Sequence, residues 1–385
     1  MKIAPVITCM QHCGRYKYTL FLLFFFQCCS QPNAIKSRTE STDTSYYTAA
    51  DFSSVEKYDT HIHLRIDDST FIQQSKEDNF RLLNINNANP AAPAIEEQQR
   101  IAIKLLKEYP ERIAYATTFS VKNWNDPNWE KQTIEYLKNS FSNGAVAVKI
   151  WKNIGMELKD KNGRYVMIDD PRFDPILNFI AKNHIPVIGH LGESRNSWLP
   201  LEKMTVTSTR VYDSIHPQYH MYLHPEMPSY EDHLRAKDHM LEKHPDLVFI
   251  GAHLGSLEWN VDELAKRLDK FPAMAVDMAE RIAHFQYQAI NNWQKVHDFV
   301  IKYQDRLLYA TDIIVDGTKT PQEMKVHAHN LRLNDWIFFT TDEVIHNGQV
   351  KGEFKGLKLP RQVIDKIYRK NAEKWLPGIT KGKLN

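Results

Sequence analysis

His61 and His63 sit one residue apart near the end of the apolar run Val55 to Leu64. Strand side chains alternate, so both rings point to one side, about two strand rises apart, and can grip one ion. Three more residues with ligand chemistry close apolar runs. His190 follows Val187-Ile188-Gly189, His253 lies in Gly251-Ala252-His253-Leu254-Gly255, and Asp312 follows Tyr309-Ala310-Thr311. Four imidazoles and a carboxylate suit a borderline cation such as zinc. The four cysteines, Cys9, Cys13, Cys28 and Cys29, all precede residue 30, so no thiolate site exists in the body of the chain.

The elements that must position these groups alternate. Candidate strands are Val55 to Leu64, Leu82 to Asn87, Ile113 to Val121, Ala145 to Trp151, Pro186 to Leu191, Leu247 to Leu254, Met274 to Met278 and Leu307 to Ile313. Amphipathic stretches separate them: Ala94 to Tyr109, Asn128 to Ser142, Pro175 to Asn183, Tyr230 to Lys243, Val261 to Lys270 and Trp293 to Tyr303. Eight such units predict an α/β fold, a (β/α)8 TIM barrel whose active site lies at the C-terminal ends of the strands. A doubly wound sheet is the alternative. The intervals His63 to His190 and His253 to Asp312 both correspond to about 30 residues per unit, the repeat of such a barrel. His190 and His253 are farther apart than one unit allows, which predicts an insertion after strand five, residues 193 to 228, lying over the mouth.

With these motifs the sequence resembles the amidohydrolase superfamily, in the amidohydrolase-related branch that includes aminocarboxymuconate-semialdehyde decarboxylase. The resemblance covers about Val55 to Pro377 and includes a C-terminal segment, Leu359-Pro360 to Asn371-Ala372, similar to that branch's closing helix. It implies that His61, His63, His190 and Asp312 hold one divalent metal, zinc or alternatively manganese, with His253 and Asp312 as catalytic groups. Lys149 faces inward by alternation, together with Ala145, Ala147 and Trp151, and an inward lysine is unfavourable unless paired. In two-metal relatives a lysine on strand four is carbamylated and bridges two ions. The one-metal reading is favoured, and it leaves Lys149 and Trp151 to meet the substrate or Lys149 to pair with a pocket acid. Arg195, in the insertion, is a candidate anchor for a substrate carboxylate through bidentate pairing. Whether Asp277 faces the pocket is left open. His216, His220 and His224 recur every four residues, but Pro217 and Pro225 argue against one continuous helix. The chemistry expected is hydrolysis of an amide, ester or lactone of a small molecule by metal-activated water. Non-hydrolytic decarboxylation on the same site and a non-catalytic ligand-binding lipoprotein are the alternatives.

Forty-nine basic and 47 acidic residues in 385, with 42% hydrophobic, exclude a polybasic nucleic-acid binder. No glycine-rich phosphate loop is present, so no nucleotide cofactor is expected. Lys2, Arg15 and Lys17 precede the apolar run Leu20 to Phe26, too short to span a bilayer. Residues 1–28 therefore read as an export signal of bacterial lipoprotein type. Lipidation at Cys28 or Cys29 would place the protein in the periplasm or on the cell surface, with the lipid as its only membrane contact. Residues 29–54, rich in Ser, Thr, Asp and Asn, read as a flexible tether, and residues 55–385 as the barrel. Composition does not fix an oligomeric state.

Overall fold

The computed structural model describes residues 45–380. The expected signal, the cysteines expected to carry lipid and the first part of the expected tether lie outside them. The tether's last ten residues, 45–54, do not run free, which corrects the expected boundary. Tyr47 Oη donates to Asp365 (2.9 Å), Trp336 Nε1 donates to the Thr48 carbonyl (2.9 Å), and Phe52 is buried. Aromatic anchors hold this stretch, and its polar composition concealed them.

Nine parallel strand segments form one sheet: β1 (Lys57–Leu64), β2 (Phe80–Ile85), β3 (Ile113–Thr118), β4 (Ala147–Ile150), β5 (Val187–Gly189), β6 (Phe249–Gly251), β7 (Met274–Asp277), β8 (Leu307–Leu308) and β9 (Ile313–Val315). Their order is β8-β7-β6-β5-β4-β3-β2-β1-β9. β8 and β9 are two halves of one stretch of chain. The first half pairs Leu307 with Val276, and the second pairs Ile313 with Ile62. Between them Thr60 N–H donates to Tyr309 O (3.1 Å), and Asp312 N–H donates to His61 O (2.8 Å). The expected eighth strand thus closes the (β/α)8 barrel on the first while breaking at Asp312, whose φ of +64° lies in the left-handed region.

Alternation sorts the side chains. Ala147, Ile188, Ile250, Ala275 and Leu308 pack inside the barrel, whereas Val148, Val187, Phe249, Val276 and Leu307 pack against the outer helices. Trp375, Leu376 and Ile379, at the end of a helical run from Arg361, join the inner cluster and stopper the barrel below the site. β1 departs from simple alternation. Asp59 pairs with Leu82 and Ile62 with Asn84, three steps on one strand against two on the other. This bulge reverses the parity of the strand. Tyr58 packs inside and Ile62 outside, so His61 and His63 both turn inward.

The helices match expectation at 95–108, 129–142, 174–182, 230–243 and 261–270. The last predicted helix is longer, Ile282–Lys302, with a break at Asn292, whose side chain caps the second half by accepting from Lys295 N–H (3.1 Å). Helix Pro321–Thr340 was not anticipated, although Thr320 and Glu323 form a reciprocal capping box with Pro321 in the first turn. Its buried face of Met324, Ala328, Trp336 and Phe339 is interrupted by Arg332 and Asp335, which breaks the apolar stripe. Arg332 is fully buried and pairs with the equally buried Asp59 (Nη2 to Oδ2, 2.9 Å), while its Nη1 donates to Ser75 Oγ (2.9 Å).

Removing one partner of a buried ion pair strands the other. Arg332→Met is expected to lower stability by about 3–5 kcal/mol in urea unfolding followed by tryptophan fluorescence. The double variant with Asp59→Asn should lose less than the two single losses combined. Additive losses would show that the pair is not coupled.

Candidate active site

Three imidazoles at the barrel mouth are anchored through Nδ1, and the anchors settle their tautomers. His63 Nδ1 lies 2.6 Å from the carbonyl oxygen of Ile85 and His253 Nδ1 lies 3.0 Å from that of Ala279. A carbonyl only accepts, so both Nδ1 atoms carry the proton. His61 Nδ1 lies 2.8 Å from Asp277 Oδ2. Burial opposes ionisation of Asp277, but His61 beside it holds the carboxyl down at about 2, so it is a carboxylate and it too accepts. Every Nε2 atom is therefore left with a lone pair. Those of His61 and His63 face Asp312 Oδ1 at 3.4 and 3.2 Å.

That oxygen is buried and makes no hydrogen bond. Its histidine neighbours offer it lone pairs, not protons. Three acceptors converge on one point, with Lys149 Nζ beside His61 Nε2 (3.1 Å) and Asn87 Nδ2 beside His63 Nε2 (3.5 Å) as the neighbouring donors, and such a set suits a cation. Among the described residues, His61, His63 and Asp312 form one group whose ligand atoms all lie within 4.8 Å of one another. The residues present fit a metal ion.

Lys149 Nζ donates to His61 Nε2 (3.1 Å) from the adjoining wall, as alternation along β4 predicts. Burial draws its pKa down to about 8, against the pull of Asp277 and Asp312. His190 is buried with its ring centroid 4.3 Å from that of His253, and the His253 ring is 5.1 Å from that of His61. Burial pushes both His190 and His253 well below the usual imidazole pKa, so both rings are neutral at physiological pH. His253 owes its direction to a left-handed turn directly after β6, with φ of +58° at His253 and at Leu254. The turn folds Gly255 back on Gly251 so closely that a Cβ on Gly251 would stand 2.8 Å from Gly255 Cα. Asp277 Oδ1 fixes the same turn by accepting from His253 N–H (2.8 Å). Asp277, left open from the sequence, thus orients two of the four histidines.

Trp151 is buried at the end of β4, with its ring edge-on to Tyr219 of the insertion (6.4 Å). Neighbouring Lys152, also buried, pairs with Glu193 and lies over the Tyr219 ring (3.8 Å). Sequence reasoning did not single out Lys152. Arg195 does not reach the site. Its guanidinium pairs with the exposed Glu231 (3.2 Å) and stacks over Trp259 (4.6 Å), because its backbone N–H is tied to Glu258 and turns the side chain outward. The three insertion histidines are not assembled either. The helix Thr207–Ile215 stops at His216, and His220 and His224 bond the carbonyls of Leu199 and Pro217. A cleft of about 500 Å³ reaches Asp312 between Glu280, Gln286, His327 and Asn347.

A family model described as amidohydrolase matches residues 58–378, which include every residue of the site. The chain belongs to the amidohydrolase family. No curated protein matches it. Solved structures that resemble this chain include a TIM-barrel protein from Bordetella bronchiseptica (14% identity over 84% of this chain and 99% of that one, TM-score 0.47). Also similar are 2,6-dihydroxybenzoate decarboxylase from Rhizobium (14%, 83% and 98%, TM-score 0.48) and dihydroorotase from Campylobacter jejuni (10%, 87% and 84%, TM-score 0.41).

Partners that orient a ligand histidine typically contribute about 10- to 100-fold in metal affinity. Asp277→Asn is expected to weaken zinc binding by that factor in competition with a chromophoric chelator. Unchanged affinity would show that the Asp277–His61 bond does not tune the amidohydrolase's site.

Proposed function

We propose that the protein is a metal-dependent hydrolase of a small molecule, in which water attacks an amide, ester or lactone carbonyl. One observation carries the reading: the buried Asp312 Oδ1, with no hydrogen bond, is faced by the Nε2 lone pairs of His61 and His63. These three, with His190 as the fourth ligand, would hold the ion. Nitrogen and oxygen donors favour zinc, with manganese as the alternative. A divalent cation so bound supplies a Lewis acid and lowers the pKa of water toward about 7.

The chain's own groups divide the remaining work. Asp312, ionised, takes the proton of the attacking water and returns it to the leaving group. His253, protonated on Nδ1 and neutral, presents an Nε2 acceptor that orients the nucleophile. Lys149, when protonated, meets the charge that develops on the carbonyl oxygen. Trp151 and the insertion restrict access of bulk water. A single ion is proposed, since the tight ligand group is one triad; a carbamylated Lys149 bridging two ions is the alternative.

Chelation should abolish turnover of a library of esters, lactones and amides, and zinc or manganese should restore it; full activity in metal-free protein contradicts the reading. His253→Gln is expected to lower kcat by about 10²- to 10⁴-fold with metal content unchanged. Products formed in ¹⁸O-labelled water should carry the label. Release of carbon dioxide without label would replace hydrolysis by carbon–carbon cleavage on the same side chains.

A further inference from the structure

We infer that Lys237 is a positioning residue for His253, holding from outside the barrel the strained turn that aims the ring. The inference rests on the proposed function, which gives that ring its task, and adds to it a residue remote from the pocket. The turn runs through four residues. His253, Leu254, Gly255 and Ser256 have φ of +58°, +58°, +64° and +60°, and three of the four are not glycine. Side-chain-bearing residues visit this region singly rather than in runs, and such strain persists only where the surroundings over-determine it.

The restraints come from three sides. Asp277 Oδ1 holds the first N–H, that of His253, and Ser256 Oγ donates to the Gly192 carbonyl (3.0 Å) beyond β5. The last two carbonyls are taken by helix Tyr230–Lys243, whose Leu234, Met240 and Leu241 join the cluster outside the barrel. Lys237 Nζ donates to Gly255 O (2.6 Å), and Tyr230 Oη donates to Ser256 O while accepting from Trp259 Nε1 (2.8 Å). Seven residues separate Tyr230 from Lys237, two helical turns, so one face aims two donors at consecutive carbonyls. Packing alone does not account for a lysine at this place. Lys237 is 1% exposed, and burial draws its pKa down to about 8 against the pull of Asp238 and Glu258. Neither acid bonds to it, and among the described residues its only hydrogen-bond partner is the Gly255 carbonyl. An ammonium taken out of water without a counter-charge is unfavourable, and an apolar side chain would fill the space without that cost. Its bond to the turn is what the lysine supplies.

The test compares zinc-loaded wild-type protein with Lys237→Met, which keeps the stem and loses the donor. Lys237→Gln, shorter and uncharged, takes its place should the first variant fail to fold. Amide hydrogen exchange read by mass spectrometry should quicken about 10-fold or more in residues 253–257 and stay within about 2-fold in β6 and helix Val261–Lys270. On the ester, lactone or amide that the wild-type protein hydrolyses, kcat should fall about 10-fold or more, with KM within about 2-fold and zinc content unchanged. Either change absent in a folded variant, exchange quickened equally throughout the barrel, or zinc lost in step with activity would overturn the assignment. Failure of both variants to fold would make Lys237 structural and overturn it as well. Wild-type protein without hydrolytic turnover would refute the proposed function instead, and the exchange measurement would then decide for the turn by itself.

Discussion

The buried carboxylate of Asp59 is the constraint on which the rest of the mouth depends. It accepts from Thr311 N–H (3.0 Å) and Thr311 Oγ1 (2.7 Å) and pairs with Arg332, in surroundings where none of these groups meets water. One oxygen pair thus clamps β1, the break in the eighth strand and the long helix 321–340. An ionised group so placed is tolerated only when every bond is made, so the three elements lose their independence. Asp312 is the residue after Thr311, and its left-handed φ is sustained by this clamp on one side and by its own N–H bond to His61 on the other. The carboxylate that faces the histidines is therefore held by a carboxylate that never touches them.

On the opposite wall Asp277 plays the corresponding part. With Ile85 and Ala279 it consumes the Nδ1 protons of three rings, and the Nε2 lone pairs of His61 and His63 are thereby turned toward Asp312. A pocket built this way repels protons as well as attracting cations. His190 and His253 stay neutral because burial and surrounding positive charge both oppose their protonation. Neutral imidazoles and an ionised carboxylate are the forms in which such side chains bind metal, so these groups stand in the state a cation site requires.

Much of this was legible in the sequence, because alternation and strand-end position are properties of local chemistry. The strand centres, the inward Lys149, the paired His61 and His63 and the family likeness follow from residue types at short spacing. The bulge in β1 does not. Strict alternation from Tyr58 would turn both histidines outward, and only the pairing with β2 shows the extra residue. Helix 321–340 escaped because Arg332 and Asp335 interrupt its buried face of Met324, Ala328, Trp336 and Phe339, although its capping box was in view at Thr320 and Glu323. Asp277 was left open since a strand-end acid carries no mark of its partner. Arg195 was misdirected because nothing in its neighbourhood announces that Glu258 binds its backbone.

The central claim is that one cation sits among His61, His63, His190 and Asp312. X-ray absorption at the metal edge of zinc-loaded protein measures that shell directly. The account predicts one zinc per chain with imidazole nitrogens at about 2.0–2.1 Å, carboxylate oxygen at about 2.0–2.2 Å, and no second metal in the shell beyond. A metal–metal vector at about 3.5–4 Å, or a shell without imidazole scattering, would contradict it.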